Sequence, residues 1–238
     1  MTNILAIIPA RGESKGIKNK NIVNFCGKPL IYWTIKAAQN SKYIDKVIVS
    51  TDSKKIREIA EKYNVQRNSL RPKKYSTDYA TTLSVLKYEI KKQEKKNYYP
   101  DIIVTLQPTS PLRNAHHVDS ALKLFLKNKR ADSLVSCMEV PHNFNPKSLM
   151  KLKGKYLIEV KKDDNNYSRH LKNTLYARNG AAIYITRRSL IEKKLFNDFT
   201  IPFEMNRFVS VDIDSKDDLL IASMFYKYLK EKNEKSNS

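Results

Sequence analysis

The chain has 238 residues, enough for one domain with a sizeable core, and its 45 Lys and Arg against 24 Asp and Glu give a formal net charge of +21. The lysines are spread along the whole chain among many asparagines, and no nucleic-acid module is recognisable, so the excess reads as compositional bias rather than a nucleic-acid function. No apolar run approaches the roughly 20 residues of a membrane span, MTNILAIIPA lacks a cationic leader segment, and Cys26 and Cys137 make no disulfide framework, so a reduced, cytoplasmic protein without a membrane partner is expected.

Ile4–Ile8 is an unbroken apolar run, which predicts a fully buried strand. It stops at Pro9 and leads into a loop bearing Arg11, Gly12, Lys15, Gly16, Lys18 and Lys20. A buried strand that ends in a glycine-bearing basic loop is how α/β proteins hold a polyphosphate: the glycines permit close backbone approach and the cations offset charge. Neither the G-x-x-x-x-G-K-[ST] nor the G-x-G-x-x-G pattern is present, so the expected ligand is a nucleoside triphosphate held in another manner.

A helix is predicted over Pro29–Asn40, with Trp33 on its core face beside Leu30 and Ala37. A strand over Val47–Ser50 and a helix over Ser53–Tyr63 follow. The segment SLRPKKYSTDYATT, residues 69–82, leads into a helix over Thr81–Lys96, with Thr77 or Asp78 as possible caps. Ile102–Leu106 predicts a strand that runs into LQPTSPLR, where Arg113 is free to cap or pair locally. The next helix, Ala115–Lys129, opens with His116 and His117. With no Cys or acid at zinc spacing, both read as surface residues.

After a strand over Ser133–Cys137 the rhythm breaks. Residues 139–176 carry Pro141, Pro146 and short alternations such as Tyr156–Val160, and read as an insertion that leaves the main sheet and returns at Ala181. Asn179–Gly180 makes a turn into a strand over Ala182–Ile185. A last strand, Phe208–Val211, is expected to place Asp212 and Asp214 on one side of its end. Two carboxylates on one side repel unless a cation lies between them, and Mg²⁺ suits a site of few carboxylates plus phosphate oxygens. Ser215 and Asp218 form a capping box for a helix over Ser215–Lys230, with Leu219, Leu220, Met224 and Tyr228 as its apolar face and 231–238 as a frayed tail. Strand–helix alternation predicts a three-layer α/β domain, with a mostly parallel sheet covered on both faces.

IPARGESKGIKNKN resembles the I-P-A-R-x-G-S-K-G-x-x-x-K-N signature of the acylneuraminate cytidylyltransferases, the CMP-sialic acid synthetase family, with Glu13 where a second glycine is usual. Further family-like motifs follow in order: RP at 71–72, LQPTSPLR, ARNGAAIYIT and VDID. The resemblance implies a Rossmann-like nucleotidyltransferase that activates a nine-carbon 2-keto-3-deoxy sugar acid with CTP. It implies triphosphate contacts from Arg11, Gly12, Lys15 and Lys20, nucleoside contacts from Asn21, Arg71 and Thr82, and Mg²⁺ on Asp212 and Asp214. It further implies sugar contacts from Gln107, Lys147, Arg169 and Asn179, and a homodimer formed through the 139–176 insertion. Legionaminic, pseudaminic or Kdo-type acids are alternative substrates. A nucleotide- or polyanion-binding protein without turnover is the alternative of another class.

Overall fold

The computed structural model describes residues 2–160 and 174–236. In chain order the elements are β1 (Ile4–Pro9), β2 (Asn24–Phe25), β3 (Lys28–Pro29), α1 (Leu30–Gln39), β4 (Lys46–Ser50), α2 (Lys54–Lys62), α3 (Thr82–Glu94), β5 (Ile102–Thr105), α4 (Ala115–Lys127) and β6 (Ser133–Glu139). They continue as β7 (Met150–Lys153), β8 (Tyr156–Glu159), β9 (Tyr176–Arg178), β10 (Tyr184–Arg187), α5 (Arg188–Ile191), β11 (Thr200–Glu204) and α6 (Lys216–Ser236). The main sheet runs β11-β6-β10-β5-β1-β4, with β9 added to the end of β6. β4, β1 and β5 are mutually parallel, β10 is antiparallel to both its neighbours, and β11 is parallel to β6.

Alternate residues of β1 feed opposite layers, as the pleat requires. Ile4, Ala6 and Ile8 pack with Leu30 and Ile35 of α1, Ile56 of α2 and Phe125 of α4. Leu5 and Ile7 pack with Leu86 and Ile90 of α3 and Ile191 of α5. Burial of each such Leu or Ile contributes about 1.5–3 kcal/mol. The Ser215 cap agrees with the sequence, its Oγ accepting the Asp218 N–H at 3.2 Å; Ser53 Oγ accepts the Ile56 N–H at 3.4 Å and Thr81 Oγ1 the Ser84 N–H at 3.2 Å. Thr81, rather than Thr77 or Asp78, caps α3.

Several expectations are corrected. Phe208–Val211 is not a strand: Arg207–Val209 forms a 3-10 turn and residues 210–214 follow without regular structure. The outer strand is instead Thr200–Glu204, whose Pro202 suits the edge position it occupies. The insertion returns to the sheet at Tyr176, before Ala181, because Tyr176–Arg178 pairs with Cys137–Glu139. Within the insertion, Met150–Lys153 and Tyr156–Glu159 form a separate hairpin.

On α6 the core side is Leu219, Ala222, Phe225, Tyr226 and Leu229, whereas Leu220, Met224 and Tyr228 are exposed. The helix also runs on to Ser236 through the expected tail, helped by a Lys230–Glu234 pair one turn apart. His117 is only half exposed. Its Nδ1 accepts the Asn114 N–H at 3.2 Å while Asn114 Oδ1 accepts the His117 N–H at 3.1 Å, which closes a capping box on α4. Burial, aided by His116 and Arg113, pulls the His117 pKa down to about 4.

Candidate active site

The order β4-β1-β5 makes β1 the point where the chain switches direction across the sheet, and ligands bind outside the carboxyl ends of strands at such a point. A cleft of about 590 Å³ lies there, within the usual size for small-ligand sites. Its walls come from the loop after β1, the segment before α3, the loop after β5 and the start of the 214 region. Arg11, Lys15, Lys20, Asn21, Arg71, Thr82, Gln107 and Asp214, all singled out from sequence, line it. Gly12 lines an adjoining lobe with Arg11, Lys15 and Lys18.

The basic loop is held by its own backbone and by a carboxylate on the next strand end. The Gly12 N–H donates to Asp52 Oδ1 at 2.8 Å, and the Asn21 side-chain amide donates to the Arg11 carbonyl at 2.8 Å. Asn21 therefore shapes the loop from a buried position. Two of the loop's cations converge on one residue: Arg11 Nη1 lies 2.7 Å and Lys15 Nζ 3.0 Å from the Asp78 carboxylate, which is held below the ordinary carboxylate range by these hydrogen bonds. Lys20, mostly buried, reaches Asp214 Oδ1 at 2.7 Å.

Glycines let three motifs meet. A Cβ at Gly16 would collide with the Asp214 carbonyl oxygen, and a Cβ at Gly180, which has φ +68°, would collide with the Asp212 carboxylate. Only glycine fits either position, so the basic loop packs backbone to backbone on the VDID segment at Asp214, and the Asn-Gly turn packs its backbone on the Asp212 carboxylate. The Ile213 N–H donates to the Thr109 carbonyl at 2.8 Å and pins VDID to the LQPT loop.

The two carboxylates flank the fully buried Ile213 but are not equivalent. Asp212 is half-buried and Asp214 exposed. Burial pushes the Asp212 carboxyl above its usual range; the nearby Thr109 hydroxyl opposes this and the Asp214 charge adds to it. Thr109 does not reach hydrogen-bond geometry, so Asp212 Oδ1 and Thr109 Oγ1 are both buried without a partner. An orphaned carboxylate oxygen beside a second carboxylate fits a hard cation. No cluster of three or more His, Cys, Asp or Glu that could hold a metal ion occurs among the described residues.

Arg71 forms another wall of the cleft. Its N–H donates to the Thr51 carbonyl at 2.7 Å and its Nε to Ser76 Oγ at 3.1 Å. Burial lowers the guanidinium pKa; Asp52 and Glu89 raise it, and Arg11 lowers it further. Gln107 is fixed through its backbone: its N–H donates to the Ala181 carbonyl, while its own carbonyl accepts from Arg113 Nη1 at 3.2 Å and Thr34 Oγ1 at 3.3 Å.

Arg113, left open from sequence, is one of the largest fully buried side chains. It bridges the Gln107 and Ala182 carbonyls and the Thr34 hydroxyl, and burial pulls its pKa down. Asn179 is also buried and does not line the cleft. Its Oδ1 accepts from Ser136 Oγ at 2.6 Å and its Nδ2 donates to Ser210 Oγ at 3.0 Å, so it holds the Gly180 turn rather than presenting its amide to the cleft. Lys147 lies in a 3-10 turn of the insertion, and Arg169 lies outside the described residues. Sequence reading missed Asp78, Thr109 and Asp52 as parts of the site; Thr109 stood inside the LQPTSPLR motif and Asp78 inside the 69–82 segment, read there only as a possible cap, whereas Asp52 stood in no motif that was singled out. No helix is long and apolar enough to cross a membrane among the described residues.

The cytidylyltransferase family profile matches residues 5–235. An N-acylneuraminate cytidylyltransferase of Escherichia coli O18:K1:H7 is 33% identical over 226 residues, 93% of this chain and 51% of the relative. The chain spans about half the length of this relative and of its similar streptococcal counterparts. A pseudaminic acid cytidylyltransferase of Campylobacter jejuni serotype O:2 is 32% identical over 94% of this chain and 96% of its own. Among solved structures, a CMP:2-keto-3-deoxy-manno-octonic acid synthetase complexed with CTP overlays with a TM-score of 0.69 at 15% identity, over 95% of this chain and 99% of the other. A 4-diphosphocytidyl-2C-methyl-D-erythritol synthase of Anaerococcus prevotii overlays with a TM-score of 0.64, also at 15% identity, over 95% and 99% of the two chains. These two likenesses confirm the fold. With the profile spanning almost the whole sequence and relatives above 30% identity over more than nine-tenths of it, the chain belongs to the cytidylyltransferase family of nucleotidyltransferases.

Proposed function

We propose that this protein activates a sialic-type nine-carbon 2-keto-3-deoxy sugar acid with CTP, giving a CMP-sugar and pyrophosphate. The observation that carries this reading is the meeting, in one cleft of a cytidylyltransferase, of the Arg11–Lys15–Lys20 loop with Asp214, while Asp212, two residues before it, packs against the Gly180 turn. The anomeric hydroxyl attacks the α-phosphorus in line. A new P–O bond forms, the bond to the β-phosphate breaks, pyrophosphate carries away the electron pair, and the hydroxyl proton leaves to solvent.

Arg11 and Lys15 bind the β- and γ-phosphates, which displace Asp78 from both cations. Lys20, released from Asp214, stabilises the charge that develops on the leaving group. Arg71 and Thr82 bound the nucleoside, and Gln107, fixed by Arg113, meets the sugar. Catalysis here is positioning plus charge stabilisation, and no nucleophilic side chain is needed. Mg²⁺ held by Asp212 and Asp214 would supply Lewis-acid polarisation of the α-phosphate.

The insertion serves as the dimer contact. Leu152 and Leu157 face each other across the hairpin and are both exposed, and in a dimer Lys147 and Arg169 would meet the sugar acid of the partner subunit's cleft. A second reading is the same reaction on pseudaminic acid, favoured by the 32% identity to the Campylobacter pseudaminic acid cytidylyltransferase.

Pyrophosphate release from CTP and Mg²⁺ with N-acetylneuraminic, legionaminic, pseudaminic and Kdo acids tests both readings. Release with N-acetylneuraminic acid supports the first and release with pseudaminic acid alone the second. CTP binding without release for any acid removes the enzymatic reading.

A further inference from the structure

Behind the Arg71 wall lies a carboxylate that the reaction does not use. Glu89, on α3, has no solvent exposure. Its Oε1 accepts from Ser50 Oγ at 2.7 Å and its Oε2 from Asn68 Nδ2 at 3.0 Å, while Lys92 Nζ stands 3.5 Å from Oε2 and donates to the Ser69 carbonyl at 3.0 Å. Burying a carboxylate costs several kcal/mol, and an apolar residue of similar volume would fill such a position without that cost.

The partners of Glu89 say where its charge is used. Ser50 ends β4, and the next residue, Thr51, accepts the Arg71 N–H. Asn68 lies three residues before Arg71, and its amide also donates to the Val49 carbonyl at 3.4 Å. The carboxylate thus ties together the two segments that set the backbone of Arg71. Among the described residues Arg71 makes no hydrogen bond through either Nη, so its outer donors are available to the cleft. The charge of Glu89 also acts on Arg71 directly, against the effect of its burial.

We propose that Glu89 is a positioning residue for cytosine recognition, which holds the 68–71 segment and balances the Arg71 guanidinium so that its outer N–H groups face the base. This rests on the reading of Arg71 as a base contact.

The test measures binding of two probes, CMP and inorganic triphosphate, to wild type, Glu89→Gln, Arg71→Ala and the double variant, with melting temperatures alongside. Glu89→Gln is expected to weaken CMP binding about five- to tenfold, with triphosphate binding and the KM for the sugar acid unchanged, and to add little on top of Arg71→Ala. A purely structural role would weaken both probes together or add fully to Arg71→Ala, and would overturn the proposal. Unchanged CMP binding in Arg71→Ala would refute the base-contact reading and this proposal with it; a weakened Arg71→Ala beside an unaffected Glu89→Gln would refute the proposal alone. Should Glu89→Gln not fold, Asn68→Ala, which keeps the Glu89 charge and removes the Asn68 amide bonds to Glu89 and to the Val49 carbonyl, is expected to weaken CMP binding about twofold to fourfold. Wild-type CMP affinity in that variant would overturn the proposal.

Discussion

The cleft and the 139–176 insertion are built on opposite terms. At the cleft, Gly12 is pinned to Asp52, Asn21 to the Arg11 carbonyl, Gln107 through Arg113 and Ile213 to Thr109. Among its described residues the insertion carries a two-stranded hairpin whose β7 residues are all exposed, Leu152 at 73%. A lone hairpin is marginal in water. The difference teaches that the cleft is preorganised by the core of one chain, whereas the hairpin of the insertion is not fixed by it.

The largest effect expected on this contrast comes from Asp212→Ala. It should lower pyrophosphate release by about three orders of magnitude or more, while the fold is retained. Full turnover of that variant with Mg²⁺ would break the assignment of the metal to the pinned side. Stability should move the opposite way. A carboxyl whose folded pKa is raised binds its proton more readily in the folded state than in the unfolded one, so stability falls as pH rises from the ordinary carboxylate range through the raised value. Asp212→Asn should therefore melt a few degrees above wild type at neutral pH without metal, and the gap should close in acid. A melting temperature below wild type at neutral pH would mean that the charged form is not penalised.

Next comes the brace. Arg113→Ala leaves two buried carbonyls and the Thr34 hydroxyl short of donors and opens a cavity, so unfolding in denaturant should show a loss of about 2–4 kcal/mol. A loss within error would mean that the LQPT loop is held by other contacts. Smaller still is the release of the phosphate loop. Asp78→Ala removes the carboxylate that occupies Arg11 and Lys15, and should lower the KM for CTP about two- to fivefold at low salt, less at high salt. A raised KM would make Asp78 a substrate contact rather than a competitor.

The His117 cap is worth about 1 kcal/mol by analogy with other caps. Its folded pKa of about 4 lies below the ordinary value near 6.5, so its contribution is present above pH 6.5 and fades as pH falls toward 4. His117→Ala should lower the melting temperature at pH 7 and flatten the loss across that window. Leu152→Ser with Leu157→Ser should change the unfolding free energy of one chain by no more than about 0.5 kcal/mol, yet sedimentation should show a shift from dimer to monomer. A large stability loss would show that the hairpin packs on its own core and would erase the contrast.

Much of the pinned side was legible in the sequence because its signals are local. An apolar pentapeptide into a glycine-bearing basic loop, caps such as Ser215 with Asp218, and Arg-Pro ahead of a helix each report on chain within a few residues. What misled were patterns that a neighbour reinterprets. Leu220, Met224 and Tyr228 have helical spacing, but α6 sits on its Leu219–Ala222–Phe225 side. VDID alternates like a strand, but it is held by the Ile213 bond to Thr109 and by the contacts of Asp214 with Lys20 and Asp218 rather than by a ladder. His117 looked like surface until its ring closed the cap of its own helix.

By itself, then, the sequence determined the layers, the order of motifs and the family, since periodicity, caps and glycine-bearing turns are properties of short stretches. Only the tertiary structure decided what each charge faces. Asp78 meets Arg11 from 67 positions away and Asp214 meets Lys20 from 194, while Glu89 is enclosed between two segments that carry Arg71. Coulomb energy and desolvation depend on distance in space and on burial, neither of which is encoded in spacing along the chain.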